Sequence, residues 1–205
     1  MKKHLASLFM VAVCSTAAFA GFNEGMTAAK AGNYTKALRE WMPLAKKGDA
    51  NAQYNIGVLY TDGKGVTQDY NTGIEWFRKA AKQGNALAQF NIGTMYSNGE
   101  GIAQDKVEAE RWYRKAAILG YVEAQHNLAN ILAKGDGIPQ DKTEAAKWYR
   151  KAAENGYSNS QFVLGYMLSK GDGVPQNKVE AEKWYRKAAE QGHEKAQKAL
   201  KQITR

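Results

Sequence analysis

The stretch "DGKGVTQD", residues 62–69, sets two glycines around Lys64 and an aspartate at each end. Oxygen ligands spaced around a glycine turn suit calcium. Glycines beside a lysine suit a phosphate. The stretch returns as "NGEGIAQD" at 98–105, "KGDGIPQD" at 134–141 and "KGDGVPQN" at 170–177. The leading acid is lost in all three later copies, and Lys64 becomes Glu100, Asp136 and Asp172. A calcium or phosphate site does not tolerate ligands that change sign, and no strand precedes the glycines as a phosphate loop requires. The constant part is Gly-x-Gly, an aliphatic residue, Gln, and Asp or Asn. It predicts a turn: glycines at positive φ where one helix ends, an aliphatic side chain pinning the loop to the core, and a cap for the next helix.

Other residues that could carry chemistry are few. His126 and His193 lie at different repeat phases, outside any H-E-x-x-H or C-x-x-C context, and no G-x-S-x-G occurs. His126 takes the slot that Tyr54, Phe90 and Phe162 fill in other copies, so it reads as a contact residue rather than a base or ligand. The carboxylate pairs Glu108/Glu110 and Glu180/Glu182 recur with the repeat. Helix partners lie four residues on for Glu110 (Arg114), Glu182 (Arg186) and Glu75 (Lys79). With no set of residues in assigned roles, the chain reads as a non-enzyme without metal or cofactor. Arg-Lys pairs at 78–79, 114–115, 150–151 and 186–187 form a basic ridge that could meet phosphates. Acids one turn earlier partly cancel it, so it reads as a solvated, ion-paired face and no nucleic-acid partner is expected.

The elements that hold these residues are repeats. "WFRKAAKQG" at 76–84 returns as "WYRKAAILG" at 112–120, "WYRKAAENG" at 148–156 and "WYRKAAEQG" at 184–192, always 36 residues on. "AQYNIGVLY" at 52–60 returns at 88–96, 124–132 and 160–168 with the same step. Each copy reads as two helices, A and B. Ala52, Ile56, Leu59 and Tyr60 share one face of A; Gly73, Trp76, Phe77 and Ala80 share one face of B. Gly57, Gly93 and Gly165, with Ala129 in the third copy, let the helices approach closely. Mid-helix glycine costs about 1 kcal/mol against alanine, so its return needs a packing reason. Gly84, Gly120, Gly156 and Gly192 suit left-handed ends of helix B. Asp105/Glu108, Asp141/Glu144 and Asn177/Glu180 suit its start, whereas the first copy has Asp69 and Thr72.

A single helix pair cannot bury its apolar stripe, but stacked pairs can. The expected fold is therefore all-α, a right-handed α/α superhelical solenoid of helix-turn-helix repeats. The repeats span 49–84, 85–120, 121–156 and 157–192. A degenerate capping repeat covers 21–48, where Pro43 should kink or end a helix, and a capping half repeat covers 193–205. Residues 1–20 read as a cleaved signal peptide, with Lys2 and Lys3, an apolar run from Leu5 to Val13, and an A-x-A site ending at Ala20. A lipobox at Cys14 fits less well, because Val13 stands where a small residue is needed. Cleavage before Gly21 leaves 27 basic and 20 acidic residues, a charge of +7, and no cysteine for disulfides or thiol chemistry. The expected location is the periplasm or the cell exterior, without stable membrane insertion.

The four copies resemble the Sel-1-like repeat family, relatives of the tetratricopeptide repeat. The pattern A-x-A-Q-x-x-[LI]-G-x-x-Y-x-x-G-x-G-[VI]…A-x-x-W-[YF]-x-K-A-A-x-x-G is met nearly in full by the first two copies. It is broken by Ala129 and Leu132 in the third and by Ser160 and Leu168 in the fourth. The resemblance implies right-handed superhelical arrays that act as scaffolds for other proteins, often in envelope functions. A cysteine-rich branch linked to β-lactams is a poor guide for a mature chain without cysteine.

Recognition is expected on helix A. At 100° per residue, Asn51, Val58, Thr61 and Asp62 fall within about 80° of Tyr54, opposite the core face. Three rows follow: Tyr54, Phe90, His126 and Phe162; Val58, Thr94, Asn130 and Tyr166; Asp62, Asn98, Lys134 and Lys170. These positions vary while the packing positions repeat, and a row of exposed aromatics points to a partner; the other reading of the aromatic row is packing between neighbouring repeats. The expected function is a scaffold that binds a protein or peptide along this groove. A ligand with its acidic end toward Lys134 and Lys170 would fit the third row. The alternatives are a cell-wall or β-lactam-active hydrolase and a binder of anionic envelope polymers through the basic ridge.

Overall fold

A 13-residue helix, a 7-residue loop, a second 13-residue helix and a 3-residue turn fill the 36-residue period. The structure, a computed structural model, describes residues 20–203. They comprise eleven helices and no strand: α1 (20–30), α2 (Tyr34–Lys46), α3 (Ala50–Asp62), α4 (Tyr70–Lys82), α5 (Ala86–Asn98), α6 (Lys106–Ile118), α7 (Val122–Lys134), α8 (Lys142–Glu154), α9 (Ser158–Lys170), α10 (Lys178–Glu190) and α11 (Glu194–Ile203). This is the all-α helix-turn-helix repeat fold expected from the spacing. The expected signal peptide lies, but for Ala20, outside the described residues. They pack as two compact units, one ending at Ala88 and the other beginning at Gln89, within α5.

In unit 1, α2 and α3 enclose Ala37, Trp41, Leu44, Ala52, Ile56 and Leu59, all buried. Trp41 donates its indole N–H to the Phe22 carbonyl of α1 at 3.2 Å, satisfying the polar end of a buried ring. Of the two outcomes expected of Pro43, a kink or an end, the end does not occur. Pro43 stands in the last turn, and the helix runs on to Lys46. In unit 2, one core extends from Ala109 to Ala196 and takes in the repeated alanines, Leu128, Leu164, Trp148, Trp184, Tyr113, Tyr149 and Tyr185.

The recurring mid-helix glycines have their packing reason. A Cβ on Gly57 would stand 2.6 Å from the Phe77 ring, and one on Gly93 or Gly165 2.8 Å from Tyr113 or Tyr185. Helix A thus presents bare backbone to a buried aromatic ring of its own helix B. Caps form where the sequence placed them. Asp105 accepts from the Val107 and Glu108 amides, Asp141 from Glu144 and Asn177 from Glu180. In the first repeat the Thr72 hydroxyl joins its own amide on Asp69.

"DGKGVTQD" and its copies are turns. Gly63 has φ 66° and Gly65 φ 73°, and the two glycines of each later loop are also at positive φ. Ile138 and Val174 pack on the core of unit 2. The constant glutamine has a specific task. Gln68, Gln104, Gln140 and Gln176 each donate a side-chain N–H to a carbonyl in the last turn of helix A, at 2.7–2.9 Å. A helix end otherwise left with bare carbonyls is closed in this way.

A second glutamine series spans neighbouring repeats. Gln53 donates to the Ala45 carbonyl and accepts from Gln83; Gln161 donates to Ala153 and accepts from Gln191. Gln125 donates to Ala117, but its buried Oε1 has no partner. The residue at the donor position is Asn155, one methylene shorter, which bonds the Lys151 carbonyl instead. Asn155→Gln is therefore expected to raise stability by about 1 kcal/mol and the melting temperature by a few degrees. A thermal melt showing no rise would count against this account of the gap.

Candidate functional site: the helix-A face

The first row of the expected groove is half-buried, which corrects its reading as exposed. Tyr54 lies 5.8 Å, centroid to centroid, from Phe77. In unit 2 each ring sits between two others. Phe90 is flanked by Tyr113 (5.6 Å) and Tyr121 (4.9 Å), His126 by Tyr149 (5.6 Å) and Tyr157 (5.0 Å), and Phe162 by Tyr185 (5.8 Å) and His193 (4.8 Å, stacked). One neighbour comes from the same repeat's helix B and the other from the residue that opens the next helix A. The first row is thus the floor of the face rather than its rim. The flanking Tyr121, Tyr157 and His193 were not among the expected site residues, although they also recur at 36 residues.

The second and third rows stand above this floor. Val58, Thr94 and Asn130 are half-buried; Tyr166, Asp62, Asn98, Lys134 and Lys170 are exposed. The Tyr113 hydroxyl donates to Thr94 Oγ1 at 3.2 Å and the Tyr149 hydroxyl to Asn130 Oδ1 at 2.7 Å. Buried helix-B tyrosines thereby fix two second-row side chains. Asp62 pairs with Lys64 at 2.7 Å, and Asn98 donates to Glu100 at 2.7 Å.

Unit 2 gathers these residues into two clefts. Phe90, Thr94, Asn98, Asn130 and Lys134 line one of about 390 Å³, together with Lys106, Tyr113, Asn127 and Asp136, which sequence reading did not single out. Phe162, Tyr166 and Lys170 line the other, of about 720 Å³. Both volumes fall in the range of roughly 300–1,000 Å³ typical of binding pockets. His126 lines neither cleft. Tyr54, Val58 and Asp62 hold the corresponding positions in unit 1.

His126 departs from its aromatic slot and Ser160 from the Ala124 and Ala196 of neighbouring repeats. The two departures meet: His126 Nδ1 and Ser160 Oγ are 2.8 Å apart. A serine–histidine pair resembles part of a hydrolytic triad. However, Ser160 is 0% exposed, so no substrate reaches its hydroxyl. Burial also lowers the His126 pKa from 6.5 to about 4, which makes it a poor base at neutral pH. Among the described residues no group of three or more His, Cys, Asp or Glu could hold a metal.

The opposite, helix-B face is occupied by its own partners. Arg114 pairs with Glu110 at 2.6 Å and with Glu144 of the next repeat at 2.5 Å, Arg150 pairs with Glu180, and Arg186 with Glu182 at 2.8 Å. Glu144 and Glu180 are held below the usual carboxylate range by hydrogen bonds from Arg114 and Arg150. The acids at the third helix-B position therefore join repeats. The expected Glu75–Lys79 pair does not form. Lys79, Lys115, Lys151 and Lys187 instead lie over the rings of Trp76, Trp112, Trp148 and Trp184 at 4.0–4.5 Å.

Comparison with known proteins follows the same register. The Sel1 repeat pattern matches residues 50–85, 86–121, 122–157 and 158–193. The chain belongs to the Sel1 repeat family. Sel1 repeat proteins are generally protein-interaction scaffolds. A protective antigen of uropathogenic Escherichia coli with an SLR fold is 34% identical, with a TM-score of 0.87 over 91% of this chain and 41% of its own. This chain thus spans less than half of that protein's length. A Sel1 repeat protein from Oxalobacter formigenes is 36% identical, with a TM-score of 0.83 over 87% of this chain and 74% of its own. The cysteine rich protein B of Helicobacter pylori, 24% identical with a TM-score of 0.51 over 63% of this chain and 93% of its own, shares the fold alone. Comparison with curated proteins finds no match.

Because His126 binds its proton only below about pH 4 when folded but near 6.5 when unfolded, the unfolded chain holds more protons between these values. His126 therefore contributes stability that is full above pH 6.5 and is lost as pH falls toward 4. The double change His126→Phe/Ser160→Ala restores the residues of neighbouring repeats and is expected to remove this part of the decline. Melting temperatures of both proteins at pH 7 and pH 4.5 check it; equal losses would remove His126 as the cause.

Proposed function

We propose that the protein is a non-enzymatic interaction scaffold of the bacterial envelope, and that it holds a protein or peptide on the helix-A face. The observation that carries this reading is the agreement between variability and shape in unit 2. The helix-A residues that diverge between repeats, Thr94, Asn98, Asn130 and Lys134 among them, line a cleft floored by aromatic rings. Packing keeps the rings and small residues in register, whereas the cleft residues differ from copy to copy. Aromatic floors with polar walls suit protein recognition.

The alternatives have less support. A hydrolase would need a reachable nucleophile, and the serine beside His126 is sealed. An anionic polymer would need cations on the helix-B ridge, where Arg114 and Arg150 are ion-paired and four lysines cover tryptophans. Envelope location rests on the export-type N-terminus, with Lys2, Lys3, the apolar run and the A-x-A site.

Cross-linking and pull-down from a periplasmic fraction tests the reading, with Tyr166→Ala/Asn98→Arg beside the native protein. Both changes are at exposed positions and leave the ring floor intact. The native protein, with Gly21 as its first residue, is expected to capture a discrete set of proteins that the variant loses. Capture of the same set by both would overturn the groove assignment.

A further inference from the structure

The 36-residue step does not stop at the fourth repeat. In α11, Lys198 is the next member of the row Tyr54, Phe90, His126 and Phe162, and Gln202 the next after Val58, Thr94, Asn130 and Tyr166. The helix is docked by Ala196, which is 0% exposed. It therefore supplies one wall of the 720 Å³ cleft, which is also lined by Phe162, Tyr166, Lys170, Lys178 and Lys195.

The charge of this cleft sets it apart. Four lysines line it (Lys170, Lys178, Lys195 and Lys198) and no Asp or Glu does. Elsewhere in unit 2 the same lysine register is matched by an acid from the following loop. Lys106 lies 3.8 Å from Asp136 and also donates to the Ser97 carbonyl at 2.7 Å; Lys142 lies 2.8 Å from Asp172. Lys178 is the next lysine of that series and has no acid within 4 Å among the described residues. Ammonium groups gathered beside low-dielectric ring walls focus a positive potential. Tyr166, 48% exposed, and the Phe162 ring stacked on His193 supply an apolar surface next to them.

We propose that this cleft anchors an acidic peptide segment, with an apolar side chain against Tyr166 and Phe162 and successive carboxylates on Lys170, Lys178, Lys195 and Lys198. The inference rests on the reading of the helix-A face as a protein-binding surface and names the chemistry of the partner. Lysines act as separate point charges, without the planar fork of a guanidinium. Four of them, spread over α9, α10 and α11, match several carboxylates spaced along a chain better than one compact anion. On this proposal α11 is part of the recognition surface.

A displayed library of random dodecapeptides, selected on the full protein, tests this. The selected peptides are then measured by fluorescence anisotropy on Lys170→Ala/Lys198→Ala and on a helix-B control, Lys147→Ala/Lys183→Ala. All four lysines are exposed, so neither variant disturbs the core. Selected peptides are expected to be rich in Asp and Glu beside an aromatic or aliphatic residue. They should lose affinity about tenfold or more on the cleft variant, lose it also with rising salt, and change little on the control. Absence of acidic enrichment, or equal loss on both variants, overturns the proposal. Selected peptides without acidic enrichment that still depend on Tyr166 and Asn98 would overturn it while leaving the helix-A face as a binding surface. Tight binding of polyphosphate or of phosphatidylglycerol vesicles, with no acidic peptide bound, would assign the cleft to another class of anion.

Discussion

Everything on the helix-A face depends on how closely helix A approaches its own helix B. At Gly57, Gly93 and Gly165 the approach leaves no room for a Cβ beside the facing ring. A helix normally loses about 1 kcal/mol for such a glycine, and here the loss is offset by burying a large aromatic side chain against bare backbone. In unit 2 the consequence reaches the surface. Tyr113, buried by that approach, and Tyr149, buried in the third repeat where Ala129 replaces the glycine, extend far enough for their hydroxyls to bond Thr94 and Asn130. Burial also raises the Tyr149 pKa, so its hydroxyl stays protonated and donates at any physiological pH. The core thereby orients side chains of the cleft.

The departures from the repeat follow the same economy of space. His126 would strand a polar ring in a slot built for phenylalanine, and Ser160 would strand a hydroxyl in a slot built for alanine. Together they satisfy each other at 2.8 Å. Tyr121 and Tyr157 stand at the N-caps of α7 and α9 and make no side-chain cap bond there. Asp49 does cap α3, and a missing cap costs on the order of 1 kcal/mol. The tyrosines contribute instead a ring contact with Phe90 or His126 of the preceding repeat. Helix-end stability is exchanged for contact between repeats, as expected in an array where each repeat is stable only against its neighbours.

The fold was legible because its determinants are local and periodic: small residues where backbones meet, glycines where φ turns positive, an Asp or Asn before each helix B. Pro43 does not end α2, because one proline in a last turn removes a single helical hydrogen bond, which packing around Trp41 and Leu44 can outweigh. The site was legible only in part. The helical wheel placed Thr94, Asn98, Asn130 and Lys134 on one face, and they line one cleft. It placed Phe90 and Phe162 there too, but a wheel describes one helix and cannot show the rings that cover them from other elements. Lys79 escaped for a related reason: a charge four residues ahead and an aromatic ring three residues ahead compete for one ammonium, and the ring lies 4.1 Å away.

Helix B and helix A handle charge in opposite ways, and this explains why a basic chain need not bind through its most obvious basic ridge. On helix B, the Arg-Lys pairs of the ridge in the second and third repeats are placed where the period brings an acid or a ring. Arg114 reaches Glu110 and Glu144, Arg150 reaches Glu180, and the adjoining lysines cover tryptophans. An incoming anion would have to displace these contacts. In the larger cleft, Lys195 and Lys198 stand where the preceding repeat has Asn159 and Phe162, and Lys178 lacks the loop acid that Lys106 and Lys142 meet one repeat on. Among the described residues none of the four lysines of that cleft is ion-paired, so an anion entering it would meet ammonium groups without first breaking an ion pair, beside the half-buried Phe162 ring. On the proposed reading an anion is favoured there over the ridge, because no existing ion pair must break first. On that reading, binding follows the cations that the repeat leaves unmatched rather than the number it carries.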